Sequence, residues 1–89
     1  MTTSDEIIHR LSIDGVDPLT LAGVNDANLH ELAHLLAVRV SLRGDQLSLA
    51  GPLEAVERAA PVVQGLLDQA RLGDPVGVED VRLLVGEAS

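Results

Sequence analysis

The sequence predicts an α+β domain in the order β-α-α-β-β-α, followed by a short C-terminal helix. Three observations carry this. Residues 38–43 and 47–50 alternate apolar with polar on either side of Gly44-Asp45, the mark of a β-hairpin. Leu29, Leu32, Ala33 and Leu36 fall at i, i+3, i+4 and i+7, the stripe of an amphipathic helix. Leu53, Val56, Ala60, Val63, Leu67 and Ala70 extend such a stripe over a much longer segment.

Taken in order, residues 7–13 (IIHRLSI) read as the first strand, with Ile7, Leu11 and Ile13 on one parity and Ile8 partly breaking the alternation. After Asp14-Gly15, Asp17 stands as N-cap and Pro18 at the first position of a helix of one or two turns that stops at Gly23. A second helix starts at Asp26, with Asn28, Glu31 and His34 off its apolar stripe. In the hairpin each strand hides one face and wets the other, and Gly44-Asp45 takes the turn, where positive φ is needed.

Gly51-Pro52 ends the third strand, and the long helix follows, packed across the sheet. Pro61 lacks an amide proton and crowds the carbonyl of Glu57, so a kink or restart near residue 60 is expected. Residues 73–77 are linker-like. Beyond them Val78, Val81, Leu84 and Val85 keep helical spacing over barely two turns, too short to be stable alone in water. That helix either packs on the domain or begins something that continues in a longer protein.

Composition narrows the function. The 89 residues allow one small domain, and a core of Leu, Val, Ile and Ala, because the chain is 46% hydrophobic yet has no Phe, Tyr or Trp. The absence of cysteine removes disulfides and thiolate chemistry and agrees with a reducing compartment. No basic-then-apolar leader opens the chain, and no apolar run approaches the roughly 18 residues of a membrane span, so a cytoplasmic protein without membrane contact is expected. A net charge of -8 repels polyanions, and without aromatics there is no platform for stacking bases. With no lysine and no GxxxxGK string, P-loop hydrolysis of ATP is excluded for this chain. No cofactor is implied.

The order of elements resembles the type I KH module of RNA-binding proteins. Gly23-Val24-Asn25-Asp26 stands where that family has its GxxG loop, Leu29 and Leu32 follow at the family's apolar positions, and Ala37-Val38-Arg39-Val40 opens the next strand without a gap. Gly51, Glu54, Ala55, Val56 and Ala59 match the family's G-x-x-E-A-V-x-x-A helix start. The resemblance covers about residues 8–72 and implies a three-stranded antiparallel sheet with helices packed on one face. More closely, the string LSIDGVDPLTLAGVNDANLHELAHLL and the later AGPLEAVERAAPVVQGLLDQARLGDPV are similar to the KH-like N-terminal region of bacterial PhoH-like proteins, which precedes a P-loop ATPase domain. That likeness implies a KH-like domain over residues 1–73, a linker over 74–77, and over 78–89 a short helix or the start of a linker to an ATPase domain that this chain lacks. Its implied partners are single-stranded RNA, weakly held, the ATPase domain, and further copies of the chain.

The departure from the family lies at Asp26, which replaces the second glycine of the loop. Two glycines let the loop backbone approach phosphates, whereas a carboxylate adds bulk and a repelling charge. Asp26, Asn25 or Asn28 is expected to cap the second helix, whose free N–H groups remain a second option for phosphate. The candidate nucleic-acid contacts are therefore Gly23, Val24, Asn25 and Asp26, with Arg39 and Arg43, which share a strand parity and otherwise form a wet sheet face paired with acidic neighbours.

Residues 30–34 spell HExxH, so His30 and His34 lie one turn apart as a zinc pair with Glu31 as base. A third ligand has no motif support, since His9, Glu54 and Glu57 stand at no diagnostic spacing, and both histidines are expected on the solvent flank of the stripe. Ser41 and Ser48 lack a His–Asp arrangement that would make either a nucleophile. Three functions compete: an RNA-contacting accessory module of a PhoH-like ATPase, a protein-interaction or oligomerisation module that binds no nucleic acid, and a minimal zinc hydrolase. Acidic charge, absent aromatics and Asp26 move weight from RNA contact toward assembly.

Overall fold

A computed structural model of the chain describes residues 6–88, so the expected outer boundaries at residues 1 and 89 lie outside the described residues. The elements are β1 (Glu6–Ser12), α1 (Pro18–Ala22), a 3-10 turn (Val24–Asp26), α2 (Ala27–Leu36), β2 (Arg39–Arg43), β3 (Gln46–Pro52), α3 (Leu53–Arg71) and α4 (Val78–Ala88). The three strands form one antiparallel sheet, as expected, and their order is β1-β3-β2. Gly44 at φ 58° turns the β2–β3 hairpin, closed by the facing pair Arg43 and Gln46.

Alternation decides the two faces of the sheet. Leu47 and Leu49 of β3 are fully buried, and Leu47 faces Leu11 on one side and Leu42 on the other. Ser48 and Ala50 point the opposite way, with Arg10 and Ile8 on β1 and with Ser41 and Arg39 on β2. All the helical packing is on the leucine side, where Leu21, Leu32, Val62, Val63, Leu66 and Leu67 complete an aliphatic core.

α3 runs unbroken for 19 residues through Pro61, and there is no restart at residue 60. Pro61 is exposed, so the hydrogen bond it forfeits is on the solvent side of the helix. Its buried arc is Ala55, Val56, Ala59, Val62, Val63, Leu66 and Leu67, while Leu53, expected inside, is 50% exposed. The arc is rotated by roughly 60° from the expected stripe, at the 100° per residue of an α-helix. Ala55 and Ala59 lie on the buried side of this arc, where their small side chains permit close packing.

α4 packs against α2 and α3. Val81 is fully buried, the terminal carbons of Leu84 lie over Gly65, and Arg82 Nε donates to Glu31 Oε2 of α2 at 2.8 Å.

Candidate nucleic-acid interface

Local rules build α1 as expected. The Asp17 side chain accepts from the Leu19 amide at 3.0 Å, Pro18 sits in the first turn, and the Gly23 amide closes the helix on the Leu19 carbonyl at 3.0 Å. Gly23 has φ 79° and ψ -179°, a region that glycine alone occupies without strain. A Cβ there would also stand 2.8 Å from the Asn28 side-chain nitrogen.

The chain then takes two consecutive left-handed residues, Asn25 (φ 54°) and Asp26 (φ 58°), before α2 begins. Capping does not follow the sequence expectation. An N-cap side chain reaches its helix from extended backbone, as at Asp17, but Asp26 is left-handed and makes no capping hydrogen bond. Asn25 does not cap either. Asn28 is inside the first turn and 2% exposed, and its amide nitrogen donates at 3.0 Å both to the Leu21 carbonyl and to the Val76 carbonyl. It belongs to the core, although its position off the leucine stripe implied a wet side chain.

Between the start of α2 and β2 lies a groove of about 240 Å³. Pro18, Leu19 and Ala22 of α1, Asp26 of the loop, and Leu29 and His30 of α2 form its wall, and Val40 and Leu42 of β2 form its floor. Its side chains are apolar except for those of Asp26 and His30, with backbone polar groups exposed between them. A wider open cleft of about 670 Å³ lies behind the loop, between Val24 and Asn25 and the Pro75–Val78 segment before α4.

Arg39 and Arg43 do not join the Gly23–Asp26 loop. Val40 and Leu42 take the groove side of β2, which sends the odd-numbered arginines to the opposite face of the sheet. There Arg39 holds Glu6 through two hydrogen bonds, of 3.1 Å from Nη1 and 2.5 Å from Nη2. These bonds, and then the paired charge, lower the Glu6 pKa and raise that of Arg39. Arg43 lies beside Gln46, Ser41 and Ser48. Asp26, His30 and the Val40–Leu42 side of β2 thus share one groove, Gly23, Val24 and Asn25 line the cleft behind the loop, and the two arginines lie on the opposite face of the sheet. Pro18, Leu19, Ala22, Leu29, Val40 and Leu42 are groove residues that no sequence motif singles out, although the strand alternation marks both of the β2 positions.

His30 lines the groove and His34 is exposed one turn further on. Glu31, the residue a zinc hydrolase would use as base, is held by Arg82, and the hydrogen bond followed by the charge of Glu31 raises the Arg82 pKa. Among the described residues no group of three or more His, Cys, Asp or Glu converges on a common point, so HExxH here lacks a third ligand.

Dim2p from Pyrococcus horikoshii superposes on this chain with a TM-score of 0.67 over 92% of it, at 13% identity. The fold is KH-like. A second solved structure, the a/eIF2alpha-aDim2p-rRNA complex from the same organism, matches with a TM-score of 0.67 over 93% of the chain at 19% identity. The chain spans about half the length of the matched chains, 49% and 47% respectively. No protein-family model and no curated protein matches the sequence. The Gly23–Asp26 turn joins the first two helices, and Asp26 stands where the sequence resemblance implies a second glycine. The backbone nevertheless keeps the left-handed geometry that a glycine would supply, because Asp26 adopts it.

Proposed function

We propose that this chain is an RNA-contacting KH-like module whose groove takes a short single-stranded segment and which performs no catalysis itself. The observation that carries this reading is the groove itself, bounded by a left-handed loop on one side and by the Val40–Leu42 floor on the other. Apolar walls suit the faces of unstacked bases, and the turn gives a backbone edge for phosphate. Affinity is weak, because the one carboxylate in the lining, Asp26, faces the phosphate path and no arginine lines the groove. The solved complex of Dim2p with rRNA supports the reading by fold likeness. In the fuller version, the module accompanies a PhoH-like P-loop ATPase domain in the cytoplasm and orients RNA for it.

The test is a titration of the chain with a single-stranded oligonucleotide. Asp26→Gly removes a repelling charge and leaves the loop backbone unstrained, so it tightens binding by about 1 kcal/mol, on the order of fivefold. The gain shrinks as salt rises. Arg43→Ala and Gln64→Ala, both off the groove, leave binding unchanged. Low-micromolar binding at physiological salt that Asp26→Gly does not alter would refute this account of the loop.

A second reading, an assembly module, is favoured by Leu19 and Val24, which are 80% and 82% exposed around the loop. Absence of RNA binding by either form, with concentration-dependent sedimentation, would select it.

A further inference from the structure

The face of the sheet turned away from the helices carries a different chemistry from the rest of the chain. Across the three strands, Ala50 stands between Ile8 and Arg39, Ser48 stands between Arg10 and Ser41, and Arg43 lies opposite Gln46. Glu6 is engaged by Arg39. Arg10 and Arg43 have no acidic partner among the described residues. They flank an open hollow of about 320 Å³ floored by Ser41, Ser48 and Ala50, with Ile8, 57% exposed, at its side. Among the described residues no carboxylate lines it. A chain of net charge -8 thus gathers on one face two guanidinium groups that no carboxylate among the described residues pairs with.

We propose that this face docks an acidic segment of a protein partner, whose carboxylates pair with Arg10 and Arg43 above the Ser41–Ser48 floor and whose apolar side chains cover Ile8. Charge complementarity is the warrant: cations on an otherwise acidic surface select and orient a partner of opposite sign. The small floor residues leave room for incoming side chains, and their hydroxyls donate to carboxylate oxygens. Arginine beside exposed aliphatic surface is the composition of a protein interface. Nucleic acid fits less well. Two cations neutralise few phosphates, no aromatic side chain stacks a base, and a long polyanion overruns the face onto the acidic remainder of the chain. A compact carboxylate patch stays within it.

The experiment follows the backbone-amide NMR spectrum of the chain during titration with a short capped peptide alternating glutamate with valine, at low salt. The expected result is saturable shifts at Arg10, Ser41, Arg43 and Ser48, lost at high salt and with a glutamine-for-glutamate control peptide. Arg10→Gln and Arg43→Gln, both at exposed sites, each weaken binding by about two- to fivefold, the range of an exposed ion pair. Shifts confined to the groove, or an affinity in both variants equal to that of the parent chain, overturn the proposal. So does displacement of the peptide from this face by an oligouridine, which assigns the face to RNA. Self-association abolished by Arg43→Gln also overturns it and assigns the face to a second copy of the chain.

Discussion

Asn28 and Val76, 48 residues apart, are joined by a buried hydrogen bond of 3.0 Å from the Asn28 amide nitrogen to the Val76 carbonyl. The same nitrogen donates to the Leu21 carbonyl at the end of α1, so one side chain ties the loop region to the segment that leads into α4. Replacing Asn28 with leucine leaves two buried carbonyls unpaired. A loss of about 3 kcal/mol is expected at roughly 1–3 kcal/mol per unsatisfied group, read as a lower urea midpoint. Asn28→Asp is worse at neutral pH, because it turns a carboxylate toward two carbonyl oxygens. Part of that loss returns on acidification, when the protonated carboxyl donates again.

Two substitutions in one loop have opposite signs. Gly23→Ala forces a side chain into a backbone region closed to it and brings a Cβ to 2.8 Å from the Asn28 nitrogen. A cost of about 3 kcal/mol is expected, a melting temperature lower by about 10 °C or more. Asp26→Gly relieves a left-handed L residue, worth about 1 kcal/mol, against a larger unfolded-state entropy. The net stabilisation is about 0.5 kcal/mol. Thermal melts of both variants decide it, and a stabilised Gly23→Ala would show that the loop is not locked by Asn28.

Local signals made much of this fold legible. Asp17, Pro18 and Gly23 delimit α1 by chemistry that acts within a few residues, and the alternation around Gly44-Asp45 delivers the hairpin. What stayed hidden depends on distant partners. Asn28 looks like a wet helix-start residue until Val76 arrives from the far end of the chain. The buried face of α3 is misplaced when large residues alone are counted, since Ala55 and Ala59 mark it by being small. In the site, the loop was recognisable as a string. Yet grouping Arg39 and Arg43 with it overlooked their own parity, because Val40 and Leu42 already occupy the groove side of β2.

The Glu6–Arg39 pair sets one pH dependence. Arg39 holds the Glu6 carboxyl below its usual 4.5, so near that pH the unfolded chain binds more protons than the folded one. Stability from the pair is therefore complete above the ordinary glutamate range and is lost as pH falls through the lowered value. In Glu6→Gln the melting temperature is expected to lie slightly below that of the parent at neutral pH, the gap closing as the solution is acidified. Both side chains are more than half exposed, at 51% and 67%, so added salt narrows the gap as well. A gap that widens on acidification would contradict the assignment.

The last prediction concerns α4. If this helix were only the beginning of a linker, its removal would leave the remainder intact. The packing argues otherwise. Val81 is fully buried, Val76 is 9% exposed just before the helix, and the Asn28 bond anchors the connecting segment. Val81→Ala is expected to cost about 2 kcal/mol, for two buried methyl groups and the small cavity they leave. By contrast, Arg82→Ala, which breaks an ion pair whose arginine is 61% exposed, is expected to leave the urea midpoint close to that of the parent. Ending the chain after Gly77 uncovers the sides of α2 and α3 that α4 packs on, in a domain with no aromatic residue and no disulfide to compensate. That truncated chain is expected to lose its cooperative urea transition and to bind a hydrophobic dye. A sharp transition with the parental midpoint would show instead that the first three helices and the sheet fold without α4, and that its burial contributes nothing to the stability of the rest.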